Sequence, residues 1–417
     1  MPITPLLFFV VAITFACLNN KPALAANIEF KPSIAISEEF TDNILEVAKN
    51  KRNEYITRVQ PGFSSRYEAP LWNWDMGYNF DYQNYARNSR SNDYTHYAKL
   101  IGNISLLNNF LNLHLDDSYQ RVTLDVARDV ATESSLFLNQ TDQNKATIFP
   151  YLIWRLGEKS SLKTGYSYTD IRYWGEGIER REHGAIADLN HEFTSQFSLT
   201  ASYGFTHLES RPSQYNQHNI SGGFRYEYAD KSFIFGKVGN TWQQFKNGGS
   251  SSFIFWNAGI THDMGFAVAT LESNVQTAVD PLSVSTKETS YIGKIEKKLQ
   301  RGMIDFSVGY SEFIDSETNN GNRRKLAFSS FGSYEIMPSL TSSIGATFDH
   351  FYETINSGMT GTDFYYHLSA TAGLGYTFYH DIKVSLNYIY DTKRNAIDNA
   401  TDAIVTNRVA LELRKTF

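Results

Sequence analysis

Cysteine occurs once in the 417 residues, at Cys17, and proline only ten times. A single thiol excludes a disulfide framework and a thiolate metal cluster. Long apolar runs are missing beyond the first two dozen residues, and mean hydropathy is −0.38. No segment there approaches the roughly 20 apolar residues that a membrane-crossing helix requires. A strong charge of one sign is also lacking, with 38 basic against 44 acidic residues and a net charge of −6. There is no basic footprint for nucleic acid, and none is expected among the partners. A sustained helical period is absent as well. On hydropathy alone, the chain reads as a soluble protein.

What is abundant argues otherwise. Aromatic residues reach 15%, with 26 Tyr and 29 Phe. Segment after segment alternates with period two, the signature of strands with unlike faces. "FSLTASYGFTH" sets Phe197, Leu199, Ala201, Tyr203 and Phe205 against small hydroxylated residues and glycine. "MIDFSVGYSEF" and "YYHLSATAGLGYTF" repeat the pattern from Met303 and from Tyr365, and "IKVSLNYIYD" does so from Ile382. A transmembrane barrel escapes hydropathy in this way, because each strand gives lipid only half its residues. A soluble sandwich would lean more on Val and Ile where its two sheets meet.

The connections sharpen this reading. Brief turns at "GEKS", "TSQ", "ADK", "MG", "RG", "MPS" and "HD" alternate with longer polar links such as "WGEGIERREHG", "ESRPSQYNQ" and "DSETNNGNRRK". Short periplasmic turns and longer outside loops belong to outer-membrane barrels. The fold class is therefore all-β, a single transmembrane antiparallel up-and-down barrel of about 20 strands, within 18–22. Pro61, followed by Gly62, is expected to make a bulge or bend in the second strand.

The two ends fit. Residues 1–25 have an apolar stretch from Leu6 to Cys17 and then Ala23-Leu24-Ala25, which reads as a cleaved secretory signal peptide. Thr14-Phe15-Ala16 before Cys17 is a poor lipidation signal. Residues 26–417 form one barrel domain, placed in a Gram-negative outer membrane. "VALELRKTF" at the other end alternates Val409, Leu411, Leu413, Lys415 and Phe417 against Ala410, Glu412, Arg414 and Thr416. This is the closing strand. Val409, Leu411, Leu413 and Phe417 face lipid and resemble the signal read by the outer-membrane barrel assembly machinery. Lys415 departs from the usual apolar choice two residues before the end, a mild departure because a lysine can snorkel.

The stretch "TDN" at Thr41–Asn43 followed by "YITRVQPGF" from Tyr55 is more particular, as are "TGYSYTDIRYWGEGIERREHG" and "LTASYGFTHLES". Together they resemble the outer-membrane β-barrel family associated with exosortase and PEP-CTERM systems. Such barrels are encoded among exopolysaccharide loci. The resemblance implies a pore or conduit assisting exopolysaccharide export, with polysaccharide and periplasmic export proteins as partners. A closed barrel anchoring an envelope assembly is the second expectation, and an outer-membrane hydrolase the third.

Candidate site residues come from the polar faces. Lys163, Asp305, Asp349, Lys383, Arg408, Glu412 and Arg414 are expected to line the lumen, and their mixed signs argue against strong ion selectivity. Trp174, Arg180 and Arg181 in the charged link "WGEGIERREHG" are candidates for gripping sugar, through ring faces and guanidinium forks. A solvated loop with an aromatic belt at its base accounts for them more simply. No Gly-x-Ser-x-Gly elbow or His-Glu-x-x-His pair occurs, and "NHEFTS" puts Ser195 where a second histidine would fall. No catalytic role, metal or cofactor is expected.

Overall fold

In the computed structural model, the described residues are 26–124, 140–211, 213–278, 281–282, 285–317, 322–354, 362–395 and 403–417. The signal peptide inferred for residues 1–25 lies outside them. Twenty strands follow one another. They are β1 Asn27–Thr41, β2 Glu54–Glu68, β3 Trp72–Tyr85, β4 Asp93–Leu106, β5 Leu111–Thr123, β6 Gln140–Arg155 and β7 Ser160–Trp174. Then come β8 Arg180–Thr194, β9 Phe197–Ser210, β10 Gln214–Ala229, β11 Ser232–Phe245, β12 Ser250–Asp263, β13 Val268–Ala278 and β14 Thr286–Leu299. Last are β15 Gly302–Asp315, β16 Asn322–Met337, β17 Leu340–Thr354, β18 Thr362–Thr377, β19 Ile382–Asn395 and β20 Ile404–Thr416.

Each strand pairs antiparallel with the next, and β1 closes on β20 from Ser33↔Thr416 to Thr41↔Arg408. The ring of strands is therefore closed, so no strand is left as an open sheet edge. Twenty strands about 4.8 Å apart, tilted by about 40°, close into a circle about 40 Å across at the backbone. The strand count agrees with the sequence reading.

Alternation decides which way each side chain points. On β11, Thr241 and Gln243 are buried, while Val238 and Trp242 between and below them are exposed and apolar. The exposed set faces lipid; the polar set faces the lumen. The same holds on β20, where Val409, Leu411 and Leu413 point outward and Thr406, Arg408, Glu412 and Arg414 lie on the opposite face. Phe417 is also exposed, and its N–H donates to the Pro32 carbonyl at 2.9 Å.

Two expectations need correction. Pro61 makes no bulge: pairing of β2 with β3 skips Gln60 and Pro61, and the register on either side of the gap is the same. On the β1 side the ladder runs through unbroken, with Ile34↔Pro61. The missing N–H opens one side of the strand only. The links are also shorter than the sequence indicates. "WGEGIERREHG" shrinks to a connection over residues 175–179, and "ESRPSQYNQ" to 211–213, because the strands run on through the charged residues. A strand of 15 residues at about 3.4 Å per residue outruns an apolar band about 25 Å tall, so its outer end stands in water and takes polar side chains.

Candidate functional site

All seven residues expected to line the lumen stand on inward strand faces. Lys163 on β7 reaches over two rings of β6, its ammonium 4.7 Å from the Phe149 centroid and 4.2 Å from that of Tyr151. Asp305 on β15 pairs across the sheet with Glu296, which Lys294 neutralises at 3.2 Å. Lys383 and Arg414 sit opposite each other near the periplasmic rim, and Glu412 holds the Arg414 guanidinium at 3.0 Å.

Asp349 and Arg408 belong to a buried ionic array in the outer half of the lumen. Asp349 takes Lys325 at 3.4 Å and faces the His367 ring at 3.8 Å. The other ring nitrogen of His367 meets Asp391 at 3.3 Å. Glu46 enters from the loop that joins β1 to β2 and receives Arg408 at 2.6 Å and Lys393 at 2.8 Å. All of these groups except Lys325 are buried. A charge held in a low-dielectric interior persists only when paired and hydrogen-bonded, which is the arrangement found.

The loop that carries Glu46 is folded inward and tied down. Asn43 accepts the Val47 amide at 3.1 Å and donates to the carbonyls of Val47 and Val405, each at 2.9 Å. Asp42 receives both the amide and the side chain of Asn407 at 2.7 Å. Ile44 packs with Ile56 and Tyr85 in a buried apolar cluster. The outer mouth is thus narrowed along the wall where the barrel closes.

Trp174, Arg180 and Arg181 do not share one strand face. Trp174 and Arg181 are exposed on the outward face, whereas Arg180 is buried on the inward face of β8 beside Glu182. What does assemble at the rim is a cleft of about 420 Å³ with Asp170, Arg172, Glu179, Arg180, Arg181 and Arg211 among its walls. Asp170 accepts Arg172 at 2.8 Å and faces Arg181 at 3.9 Å, so its charge is partly spent on its neighbours. Residues Glu46, Lys325, Asp391 and Lys393 escaped the sequence reading. Asp391 and Lys393 share the polar parity of Lys383 along β19, a signal that closes the stretch "IKVSLNYIYD" at Asp391 and reaches Lys393 two residues beyond it. Glu46 has no such signal, since a loop residue carries no facing pattern.

Among the described residues, no group of three or more His, Cys, Asp or Glu is arranged to hold a metal ion. No protein-family model matches the sequence, and no curated protein is significantly similar to it. Solved structures are similar in fold. The FrpB iron transporter from Neisseria meningitidis (F3-3 variant) superposes with a TM-score of 0.50 at 10% identity, over 93% of this chain and 82% of that chain. Its F5-1 variant in the apoprotein form gives 0.50 and 10%, over 93% and 81%. OpdQ of Pseudomonas aeruginosa follows at 0.42 and 12%, over 94% and 99%. The fold is that of an outer-membrane β-barrel. At such identities the likeness says nothing of cargo.

Proposed function

We propose that the protein is an outer-membrane conduit that assists export of an exopolysaccharide. The observation that carries this reading is the inner wall of a 20-stranded barrel, set with charged side chains of both signs and with aromatic rings. A lumen about 40 Å across at the backbone is too wide for side chains alone to fill. Mixed charge suits a hydrated polymer better than a single small ion. The resemblance of the "TDN" and "YITRVQPGF" stretches to barrels of exopolysaccharide loci supplies the polymer class. Outer-membrane lipid, the barrel assembly machinery and periplasmic export proteins are its partners in this reading, and no catalytic step is assigned to it.

One observation favours a second reading, a closed barrel that anchors an envelope assembly. The loop over residues 42–53 turns into the mouth and is clamped there through Glu46. Single-channel recording on the folded protein in a planar bilayer separates the two. Large conductance steps, blocked by polysaccharide from the producing strain, are the expected result. Silence from demonstrably folded barrels would overturn the conduit and leave the anchor.

A further inference from the structure

One stretch of the inner wall carries a long run of aromatic rings. On β11 and β12, inward aromatic residues lie in one line along the strands. The paired rows Phe233↔Thr261, Phe235↔Gly259, Lys237↔Asn257, Gly239↔Phe255 and Thr241↔Phe253 place four rings and a lysine in a column. From the Phe233 row to the Phe253 row is eight residues of strand, about 27 Å at about 3.4 Å per residue. The column thus runs most of the height of the membrane.

Two glycines explain how the rings lie. A Cβ at Gly239 would come within 2.5 Å of the Phe255 ring, and one at Gly259 within 2.9 Å of the Phe235 ring. The Phe255 and Phe235 rings therefore each lie against the bare backbone of the neighbouring strand. Cations punctuate the column. At its periplasmic end the Arg225 guanidinium lies 3.6 Å from the Phe233 centroid. It is partly balanced by Glu227 at 3.3 Å. Lys237 stands exposed between the two ring pairs, and among the described residues no carboxylate comes within ion-pair distance of it.

We propose that this wall, formed by Arg225, Phe233, Phe235, Lys237, Phe255 and Phe253, is a track along which an acidic glycan moves. Ring faces stack against the apolar faces of successive sugars, and the unbalanced Lys237 and the stacked Arg225 receive their carboxylates. Four stacking positions with weak individual affinity let a chain step along without being trapped at one of them. The track rests on the conduit reading for its direction of use, while its affinity for sugar does not depend on an open lumen.

The test uses the full-length, detergent-folded protein with tri-galacturonate and maltotriose as probes, read by calorimetry and by channel block. Phe235→Leu and Phe255→Leu should each weaken both sugars about tenfold, which corresponds to about 1.4 kcal/mol. Lys237→Gln should weaken tri-galacturonate and leave maltotriose unchanged. Phe331→Leu, an inward ring on β16 remote from the column, should change neither. Equal effects from Phe331→Leu, or wild-type affinity in all three column variants, would overturn the track. Binding lost in the column variants of a barrel that does not conduct would keep the track and sink the conduit. Conduction and block unaffected by the column variants would do the reverse.

Discussion

Arg408 of the last strand meets Glu46 of the first outer loop at 2.6 Å, both side chains being almost wholly buried. Lys393 reaches the other carboxylate oxygen at 2.8 Å. The pairing fastens the inward loop to the wall where the barrel closes. Removing the carboxylate in Glu46→Ala takes an ion-pair partner from two buried cations, a loss of about 3–5 kcal/mol at this site. The barrel ladder does not depend on it, so the damage should be local. Limited proteolysis between Asp42 and Asn53 should become faster, and single-channel conductance should rise. Unchanged cleavage would mean that Asn43 and Asp42 hold the loop unaided.

Glu54 offers a pH test at the outer rim, outside the membrane-spanning part of β2. Its carboxylate is buried and accepts the amides of Arg87 at 2.7 Å, Tyr55 at 3.0 Å and Ser89 at 3.0 Å. Burial alone would raise its pKa, but hydrogen bonds from Ser89, Arg87 and Tyr55 outweigh it and hold the carboxyl below the usual glutamate value. A depressed folded pKa contributes stability that is present above the ordinary carboxylate range and is lost as pH falls through the depressed value. Glu54→Gln, which turns one acceptor into a donor facing amides, should cost about 1–3 kcal/mol. Urea titrations should show that gap in full at pH 7 and show it closing at strongly acid pH. A gap independent of pH would assign the effect to packing.

The barrel was legible because its evidence is repeated in every strand. Period-two alternation, brief turns and the closing "VALELRKTF" all point to the same architecture, and the seven charged candidates were chosen on parity alone. Where the strands end was less legible. Arg180 and Arg181 looked like one loop patch in sequence, yet adjacent strand positions point to opposite faces and divide them. Glu46 was invisible because its depth depends on how a loop folds back, which only the Asn43 and Asp42 hydrogen bonds reveal. Pro61 marked an irregular position correctly but not its kind, since a lost donor can leave the register intact.

At the periplasmic rim, Lys383 and Arg414 are opposed across β19 and β20 with inward side chains. The Arg414–Glu412 pair is well exposed, and such pairs contribute about 0–1 kcal/mol. Replacing both cations by glutamate should therefore leave thermal unfolding nearly unchanged while reversing the local field. Under a salt gradient, the reversal potential should move toward cation preference, more so at low ionic strength, where screening is weak. An unmoved potential would place the selectivity-setting section of the lumen elsewhere.

The outward face of β20 permits a separation of stability from assembly. Val409, Leu411, Leu413 and Phe417 all stand exposed to lipid, and the Phe417 ring reaches beyond the last ladder pair, Ser33↔Thr416. Its backbone amide is satisfied by Pro32 whatever the side chain. The only described ring contact of Phe417 is the Lys415 ammonium at 5.5 Å. Phe417→Ser should thus leave a barrel refolded in detergent within about 1 kcal/mol of wild type, as for substitutions outside the packed interior. If the terminal ring is read by the assembly machinery, the same variant expressed in cells should accumulate unassembled in the periplasm, with sharply reduced heat-modifiable barrel in outer-membrane fractions. Normal assembly in cells would remove that role from Phe417. A matching loss in detergent would instead show that the ring stabilises the closing strand.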